Sequence, residues 1–354
     1  MSCFCPSYYT QEARRSRYLD QEIRKDSMRS LNQVKILLLG AGETGKSTFA
    51  KQMRIIYGED FDVDDLFEFR EIIYTNMIKA MQVLCDAREK LSIPWQDVRN
   101  EVCAQELLQW KIPRRLESIM FKDKVEIIKK LWNDSGIQKT YCRKREYQLP
   151  DSTHYFMERL SEIKHEDYLP SKEDVLRARK ISRGITEYHT EISHVPFMFV
   201  DVGGQRHYRQ KWVTCFDNVT AVLFFVAASE YDEVLAEDRQ TNRLLESLEL
   251  FGHVVNSLTF SKTHVILFFN KTDQLRTKIN QSNFKRYFPS FNGDPREESD
   301  VKRFMRAMFE RKRMDQSKSL FYHFTTAIDT NNIKFVFEAC KQIILQTNLE
   351  SVLL

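Results

Sequence analysis

Residues Gly40 to Ser47 read Gly-Ala-Gly-Glu-Thr-Gly-Lys-Ser, with the spacing G-x-x-x-x-G-K-S. Glycines at both ends let the backbone fold back, so that successive N–H groups turn inward and cradle phosphate oxygens. Lys46 adds a point charge for the outer phosphates, and the Ser47 hydroxyl is a ligand suited to Mg2+. The spacing acquires this meaning only between a strand and a helix. Val34 to Leu39 is a short apolar run that predicts a buried strand. Lys46 to Tyr57 is amphipathic and predicts a helix, whose positive dipole end adds to the anion site. The loop alone implies a nucleoside triphosphate; it fixes neither the base nor what the energy does.

Two further stretches narrow the chemistry. Asp201-Val202-Gly203-Gly204-Gln205 leaves the apolar run Val195 to Val200. A strand-end Asp201 is a second handle on Mg2+, through water, Gly204 lets its N–H approach a terminal phosphate, and Gln205 can orient an attacking water. An ordinary strand-to-helix turn with two glycines is the bland alternative. Asn270-Lys271-Thr272-Asp273 follows a later apolar run. A carboxylate there accepts two hydrogen bonds from the N1–H and exocyclic amine of guanine, a donor pair that adenine lacks. The Lys271 stem can cover one face of the base. Ala327, in Thr325-Thr326-Ala327, has a backbone N–H that can meet guanine O6. Before the second strand, the Ser182 hydroxyl can join the Mg2+ shell. Arg177, Arg179, Lys180 and Arg183 form a basic cluster beside it. That cluster also reads as a solvated linker face, and chemistry alone does not select which arginine reaches the nucleotide.

These residues need a scaffold, and the apolar pattern supplies one. Strands are predicted at 34–39, 185–192, 195–200, 220–228, 263–269 and 319–325, the fourth and fifth as continuous apolar runs typical of central parallel strands. Helical patterns lie between them at 205–216, 239–256, 299–313 and 332–349. Strand–helix alternation with a phosphate loop after the first strand predicts a doubly wound α/β domain, its ligands at the carboxyl ends of the strands. Between 62 and 172 the pattern is helical throughout. Leu66, Phe69, Ile73, Met77, Met81 and Leu84 recur every three or four residues, as on a long amphipathic helix. Shorter helical stretches follow at 104–110, 123–133, 134–146 and 152–163, punctuated by Pro94, Pro113, Pro150 and Pro170.

Composition excludes several classes. The chain has 354 residues, 42% hydrophobic and 29% charged, as in a soluble globular protein. A net charge of +4 is too small to argue for nucleic acid, and no apolar run approaches membrane-spanning length. Seven scattered cysteines without a C-x-x-C spacing imply neither a zinc site nor a disulfide frame, and favour a reducing, cytosol-facing location. Ser2 stands where N-myristoylation needs glycine. Cys3 and Cys5, followed by Arg14, Arg15, Arg17, Arg24, Lys25 and Arg29, fit S-acylation on an anionic leaflet, with two unmodified thiols on a frayed end as the bland alternative. Residues 11–32 predict an exposed charged helix, either a docking surface or a plain solvated one.

In combination, Gly-Ala-Gly-Glu-Thr-Gly-Lys-Ser, Leu-Arg-Ala-Arg, Asp-Val-Gly-Gly-Gln-Arg and Asn-Lys-Thr-Asp resemble the heterotrimeric G-protein alpha subunits over essentially the whole chain. Phe324 to Thr330 and Ile185 to Tyr188 look most like the twelve/thirteen class. The resemblance implies a Ras-like P-loop GTPase domain (six-stranded, mostly parallel sheet) at 33–60 and 178–354. It also implies an inserted all-α domain at 61–177 and an N-terminal helix at 1–32. Arg179 matches the built-in arginine finger and Gln205 the water-positioning glutamine. Glu43, Thr44, Gly45, Lys46, Ser47 and Thr48 match phosphate and Mg2+ positions. Asp151 and Ser152 match a contact across the cleft, Leu176 and Arg177 residues lining it, and Asn270, Lys271, Asp273 and Ala327 the guanine site. GTP and GDP as ligands with Mg2+, a beta-gamma dimer, a seven-helix receptor, a Rho exchange factor as effector and the cytoplasmic face of the plasma membrane, beside the cytoplasm, are implied in the same way. Two departures stand out. Ser182 replaces the family's usual Thr, losing the methyl that restrains the rotamer, and a looser Mg2+ shell is expected. The last four residues lack the cysteine that marks the inhibitory class, so pertussis-toxin modification is not expected. A P-loop ATPase or kinase is opposed by Asp273. A nucleotide-holding scaffold with little turnover is opposed by the presence of both Arg179 and Gln205.

Overall fold

The computed structural model describes residues 33–58, 60–182, 184–261, 263–316 and 319–352, with 15, 16 and 18; side chains are described as far as 345. Residues 15, 16 and 18 are helical. The rest of the expected 11–32 helix, Cys3, Cys5 and Arg183 lie outside the described residues.

The Val, Ile, Leu and Phe runs assemble into one six-stranded sheet. Its strands are β1 (Val34–Gly40), β2 (Ile185–Ile192), β3 (Val195–Val202), β4 (Ala221–Ala227), β5 (His264–Asn270) and β6 (Phe321–Phe324), in the order β2-β3-β1-β4-β5-β6. All neighbours pair parallel except β2, which runs antiparallel to β3. That placement explains the weak alternation of β2: it is an edge strand, largely exposed or half-buried, whereas β4 is buried throughout. Side chains alternate across a strand, so β1 feeds two cores. Leu37 and Leu39 join one, with Val222, Phe224, Phe251 and Phe309; Ile36 and Leu38 join the other. In the second core, helix α1 (Lys46–Tyr57) drives Phe49 among Phe199, Phe225, Phe268 and Phe337. The loop between β1 and α1 is thereby clamped at both ends.

Between α1 and β2 the chain is helical. Here α2 (Val63–Lys90), α3 (Asn100–Gln109), α4 (Ser118–Trp132), α5 (Ser135–Cys142), α6 (Thr153–Glu158) and α7 (Leu160–Ile163) build a third core of their own, and α8 (Lys172–Arg177) follows them. The Asp62 side chain caps α2 by accepting from Asp65 N at 2.7 Å. Ile73, Met77, Met81 and Leu84 of the expected stripe are buried; Leu66 and Phe69, nearer the helix start, are half-buried. Tyr74 stacks on Phe121 of α4. In the second half follow α9 (Arg243–Val255), α10 (Thr272–Lys278), α11 (Phe284–Tyr287), α12 (Glu298–Arg311) and α13 (Thr330–Val352). Among the described residues no helix is long and apolar enough to cross a membrane.

Several boundaries differ from expectation for local reasons. The 152–163 helix breaks at Arg159, whose guanidinium is drawn to Glu162 and Asp174. The 134–146 helix ends at Cys142 and resumes as a 3-10 turn, Lys144–Glu146. The 239–256 helix starts at Arg243 because the Asn242 side chain caps Leu244 and Leu245 N–H. The 205–216 helix is instead a 3-10 run, Arg206–Cys215. Its Trp212 indole N–H donates to Gly203 O at 2.9 Å, and Arg209 Nε donates to Gly204 O at 3.0 Å. These bonds hold the run against its own entry turn, where the tighter winding fits. Helices α10 and α11 had no clear periodic signal.

Candidate functional site

The loop after β1 takes the shape its sequence requires. Gly45 has φ 102, and a Cβ there would lie 2.0 Å from Asn270 Nδ2, so no other residue fits. Lys46 is buried and donates to Gly40 O at 3.0 Å and Ala41 O at 2.7 Å. Burial lowers its pKa to about 8, with Asp201 partly opposing. A polyanion against this ammonium would restore its preference for the charged form. At the start of α1, Ser47 Oγ donates to Asp201 Oδ2 at 2.6 Å and lies 2.9 Å from Ser182 Oγ, which itself donates to Asp201 Oδ2 at 3.1 Å. Burial raises the Asp201 pKa, against the pull of Lys46 and the two hydroxyls. Its Oδ1 is buried with no hydrogen-bond partner. A carboxylate and two hydroxyls around an orphaned oxygen form a hard donor set that fits Mg2+.

Gly204 packs on the same loop. A Cβ on it would lie 2.4 Å from Gly40 O and 2.5 Å from Lys46 Nζ. Gln205 follows, half-buried. Across the cleft, the Arg179 guanidinium is ion-paired with Glu43 of the phosphate loop. The Arg179 backbone N–H donates to Asn76 Oδ1, and Asn76 Nδ2 donates back to Arg179 O.

At the far end, Asn270 ties the elements together. Its Nδ2 donates to Thr44 O at 2.9 Å, and its Oδ1 accepts from Ala327 N at 2.8 Å. The Ala327 N–H, the one expected to meet guanine O6, donates here to this side chain at the lining of the cleft. Lys271, at φ 62, begins α10 and donates to Asp151 Oδ2 at 2.8 Å and Glu230 Oε1 at 2.7 Å. Burial works against its charge, but Asp151 and Glu230 outweigh it and hold the pKa above the usual lysine range. Glu230 also accepts from Arg243 Nε at 2.6 Å, and Arg243 Nη2 donates to Gly42 O at 2.9 Å. A chain of alternating charges therefore runs from Asp151, in the helical insertion, to the phosphate loop.

Glu43, Gly45, Lys46, Ser47, Thr48, Asp151, Ser152, Leu176, Arg177, Arg179, Ser182, Gly204, Gln205, Asn270, Lys271, Asp273 and Ala327 line one cleft. Thr44 and Asp201 stand behind it. Thr44 is buried, with its Oγ1 donating to Ala41 O at 3.0 Å, and Asp201 lies beneath Ser47 and Ser182. Lys180, of the basic cluster, lines the cleft as well, as do Lys51, Gln274 and Ile328, which no local motif announces. Neither Glu230 nor Arg243 had a local signal; each acts through partners far along the chain.

A phosphate-binding loop between strand and helix, beside a mostly parallel sheet interrupted by a helical unit, defines an α/β P-loop nucleotide-binding protein. The family model for the G-protein alpha subunit matches residues 13–344. A guanine nucleotide-binding protein subunit alpha-12 of Rattus norvegicus is 49% identical over 343 residues, covering 96% of this chain and 90% of the relative. A subunit alpha-13 of Mus musculus is 47% identical over 359 residues, 99% and 95%. An alpha-12 subunit of Caenorhabditis elegans is 43% identical over 344 residues, 96% and 97%. The chain belongs to the G-protein alpha subunits and is a GTPase with a Ras-like domain and a helical domain. The resemblance to the twelve/thirteen class is borne out by these relatives.

Proposed function

We propose that this alpha subunit is a membrane-associated switch that reads a purine triphosphate as GTP in the cleft described above and hydrolyses it with its own Arg179 and Gln205. The observation that carries this is the convergence of Lys46, Ser47, Arg179, Ser182, Gly204, Gln205 and Asp273 on one cleft. The proposed division is 1–32, then 33–60 with 178–354, with 61–177 inserted. Lys46 and the loop N–H groups hold the outer phosphates. Ser47 and Ser182 would hold Mg2+, with Asp201 behind them through water; when bound, the ion neutralises charge on the phosphate oxygens. Gln205 orients the attacking water, and Arg179 leaves Glu43 to meet charge developing on the transferred phosphoryl group. Asp273 reads guanine, in keeping with the guanine nucleotide-binding relatives described above.

The terminal phosphate holds Ser182 and Gly204, so hydrolysis releases the segments near 179–186 and 201–216. The GDP form then binds a beta-gamma dimer through the N-terminal helix and the 201–216 segment. A seven-helix receptor engages α13 and drives GDP release, and the GTP form activates Rho exchange factors. Acylation at Cys3 or Cys5 with the adjoining basic residues places the protein on the cytoplasmic face of the plasma membrane. Phosphate release from bound GTP by purified protein, with and without Mg2+, tests the catalytic part. Absence of Mg2+-dependent release from folded, nucleotide-bound protein would sink it. In the same assay Ser182→Thr is expected to need less Mg2+ for half-maximal rate; an unchanged requirement counts against the looser shell.

A second outcome follows from the packing of Gly204. Gly204→Ala cannot bring this turn against Gly40 O and Lys46 Nζ, and Trp212 is bonded to the same turn through Gly203 O. The variant is expected to retain GDP and to lose the change in tryptophan fluorescence that a non-hydrolysable GTP analogue produces in the parent. A parent-like fluorescence change would show that the turn does not close on the terminal phosphate.

A further inference from the structure

We propose that Asn76 is a positioning residue for GTP hydrolysis: from helix α2 it grips the backbone of Arg179 and fixes the point from which the guanidinium reaches the terminal phosphate. This role rests on Arg179 acting in the reaction, as proposed above.

Arg179 lies between the end of α8 at Arg177 and the start of β2 at Ile185. It has no helix or ladder to satisfy its backbone, and buried or half-buried peptide groups need partners. One side chain supplies both. Asn76 Oδ1 accepts the Arg179 N–H at 2.7 Å, and Asn76 Nδ2 donates to Arg179 O at 2.9 Å. The two partners fix the amide orientation, since only the oxygen can accept and only the nitrogen can donate. One residue earlier, Ala178 O accepts from Lys51 Nζ at 2.7 Å, and the same ammonium reaches Val175 O at 2.9 Å. Lys51 stands on α1, the helix that carries Ser47. The backbone is therefore held from two helices up to the residue whose side chain must reach the nucleotide.

The holder is itself rigid. Ile73, Tyr74, Met77 and Ile78, which flank Asn76 on α2, are all at most 1% exposed. The Arg179 side chain is not rigid: it is about one-third exposed and paired with Glu43. A long arginine loses much rotamer freedom when it meets a phosphoryl group, and a fixed backbone origin removes part of the search. Two hydrogen bonds to one residue's backbone are also what a plain stitch between the helical unit and the sheet would use. The two roles differ in whether the effect needs the arginine.

The test is a double-mutant cycle on single-turnover hydrolysis of pre-bound GTP, with GDP dissociation measured in parallel. Asn76→Ala is expected to slow hydrolysis about 10-fold or more, since small misplacements of reacting groups cost that much or more. Added to Arg179→Ala, it is expected to cost nothing further, because no guanidinium is left to position. Asn76→Asp keeps the volume and the acceptor but turns the donor facing Arg179 O into an acceptor. It is expected to behave alike, and it carries the cycle if the alanine variant fails to fold. Parent-like hydrolysis in Asn76→Asp or Asn76→Ala, with or without faster GDP release, overturns the proposal. So does an equal loss with and without the arginine. If Arg179→Ala itself hydrolyses at the parent rate, the arginine's role fails first, and that of Asn76 with it.

Discussion

Gln205→Leu is expected to keep GTP bound and to lose hydrolysis by about 100-fold or more, the cost of removing one aligned polar group from a transition state. Leucine preserves most of the side-chain volume, and the backbone at φ −67, ψ 149 is open to any residue, so the turn that carries Gly204 is undisturbed. What disappears is the amide, which in the proposed reaction would both accept from and donate to a water lined up on the terminal phosphorus. Binding of GTP is expected within a few-fold of the parent, because the proposal assigns the phosphates to Lys46 and the loop N–H groups rather than to residue 205. About 100-fold is about 2.7 kcal/mol of transition-state stabilisation. The measurement is phosphate release from pre-bound GTP in a single turnover, with retained nucleotide quantified alongside. A rate close to the parent's would take Gln205 out of the reaction. Arg179→Ala is expected to fall at least as far, and this family is itself a standard case for the ~10³–10⁵-fold worth of such an arginine.

The legible parts of the molecule were those written in short stretches. An apolar run, eight spaced loop residues and an amphipathic run specify β1, the phosphate loop and α1 because every constraint lies within 24 residues, 34–57. The same holds for Asn270 to Asp273 at the end of β5. Asn76, Lys51, Glu230 and Arg243 gave no such signal, because each acts on groups that only the fold brings near. The Asn76 amide meets Arg179 across a sequence separation of 103, and Arg243 meets Gly42 across 201. Periodicity likewise misjudged Arg206–Cys215. A three-residue and a 3.6-residue repeat drift about half a turn apart over such a run, but its only buried residues, Trp212 and Cys215, stand three apart and fit either winding; hydrogen bonds from Arg209 and Trp212 to the preceding turn decide between them. Ala327 shows the same limit at one atom. It lines the cleft, and its N–H donates to Asn270 Oδ1, a partner that no local pattern names.

Asp273→Asn is expected to abolish the preference for guanine and to confer binding of xanthosine nucleotides. Asp273 sits in the first turn of α10 and lines the cleft. Its position is fixed by neighbours on both sides. Thr272 N donates to Thr325 O at 3.1 Å, its hydroxyl lies 2.9 Å from Thr326 Oγ1, and Asn270 ties β5 to the phosphate loop through Thr44 O. A carboxylate held there offers two acceptors, and guanine presents two donors, N1–H and the exocyclic amine. Asparagine is nearly isosteric but offers one acceptor and one donor, so its N–H faces the amine of guanine. Xanthine keeps N1–H and replaces the amine with a carbonyl, which restores both hydrogen bonds. Affinity for GDP is expected to fall by about 100-fold or more, the scale on which a site built for a hydrogen-bonding group rejects a mismatch. Affinity for xanthosine diphosphate should rise above that for GDP. Adenosine nucleotides gain nothing, since adenine lacks N1–H and a 2-substituent. Competition of each diphosphate against a labelled nucleotide measures all three. Parent-like retention of GDP by the variant would move recognition of the base away from α10, while the contacts to the phosphates, which do not involve Asp273, would stand.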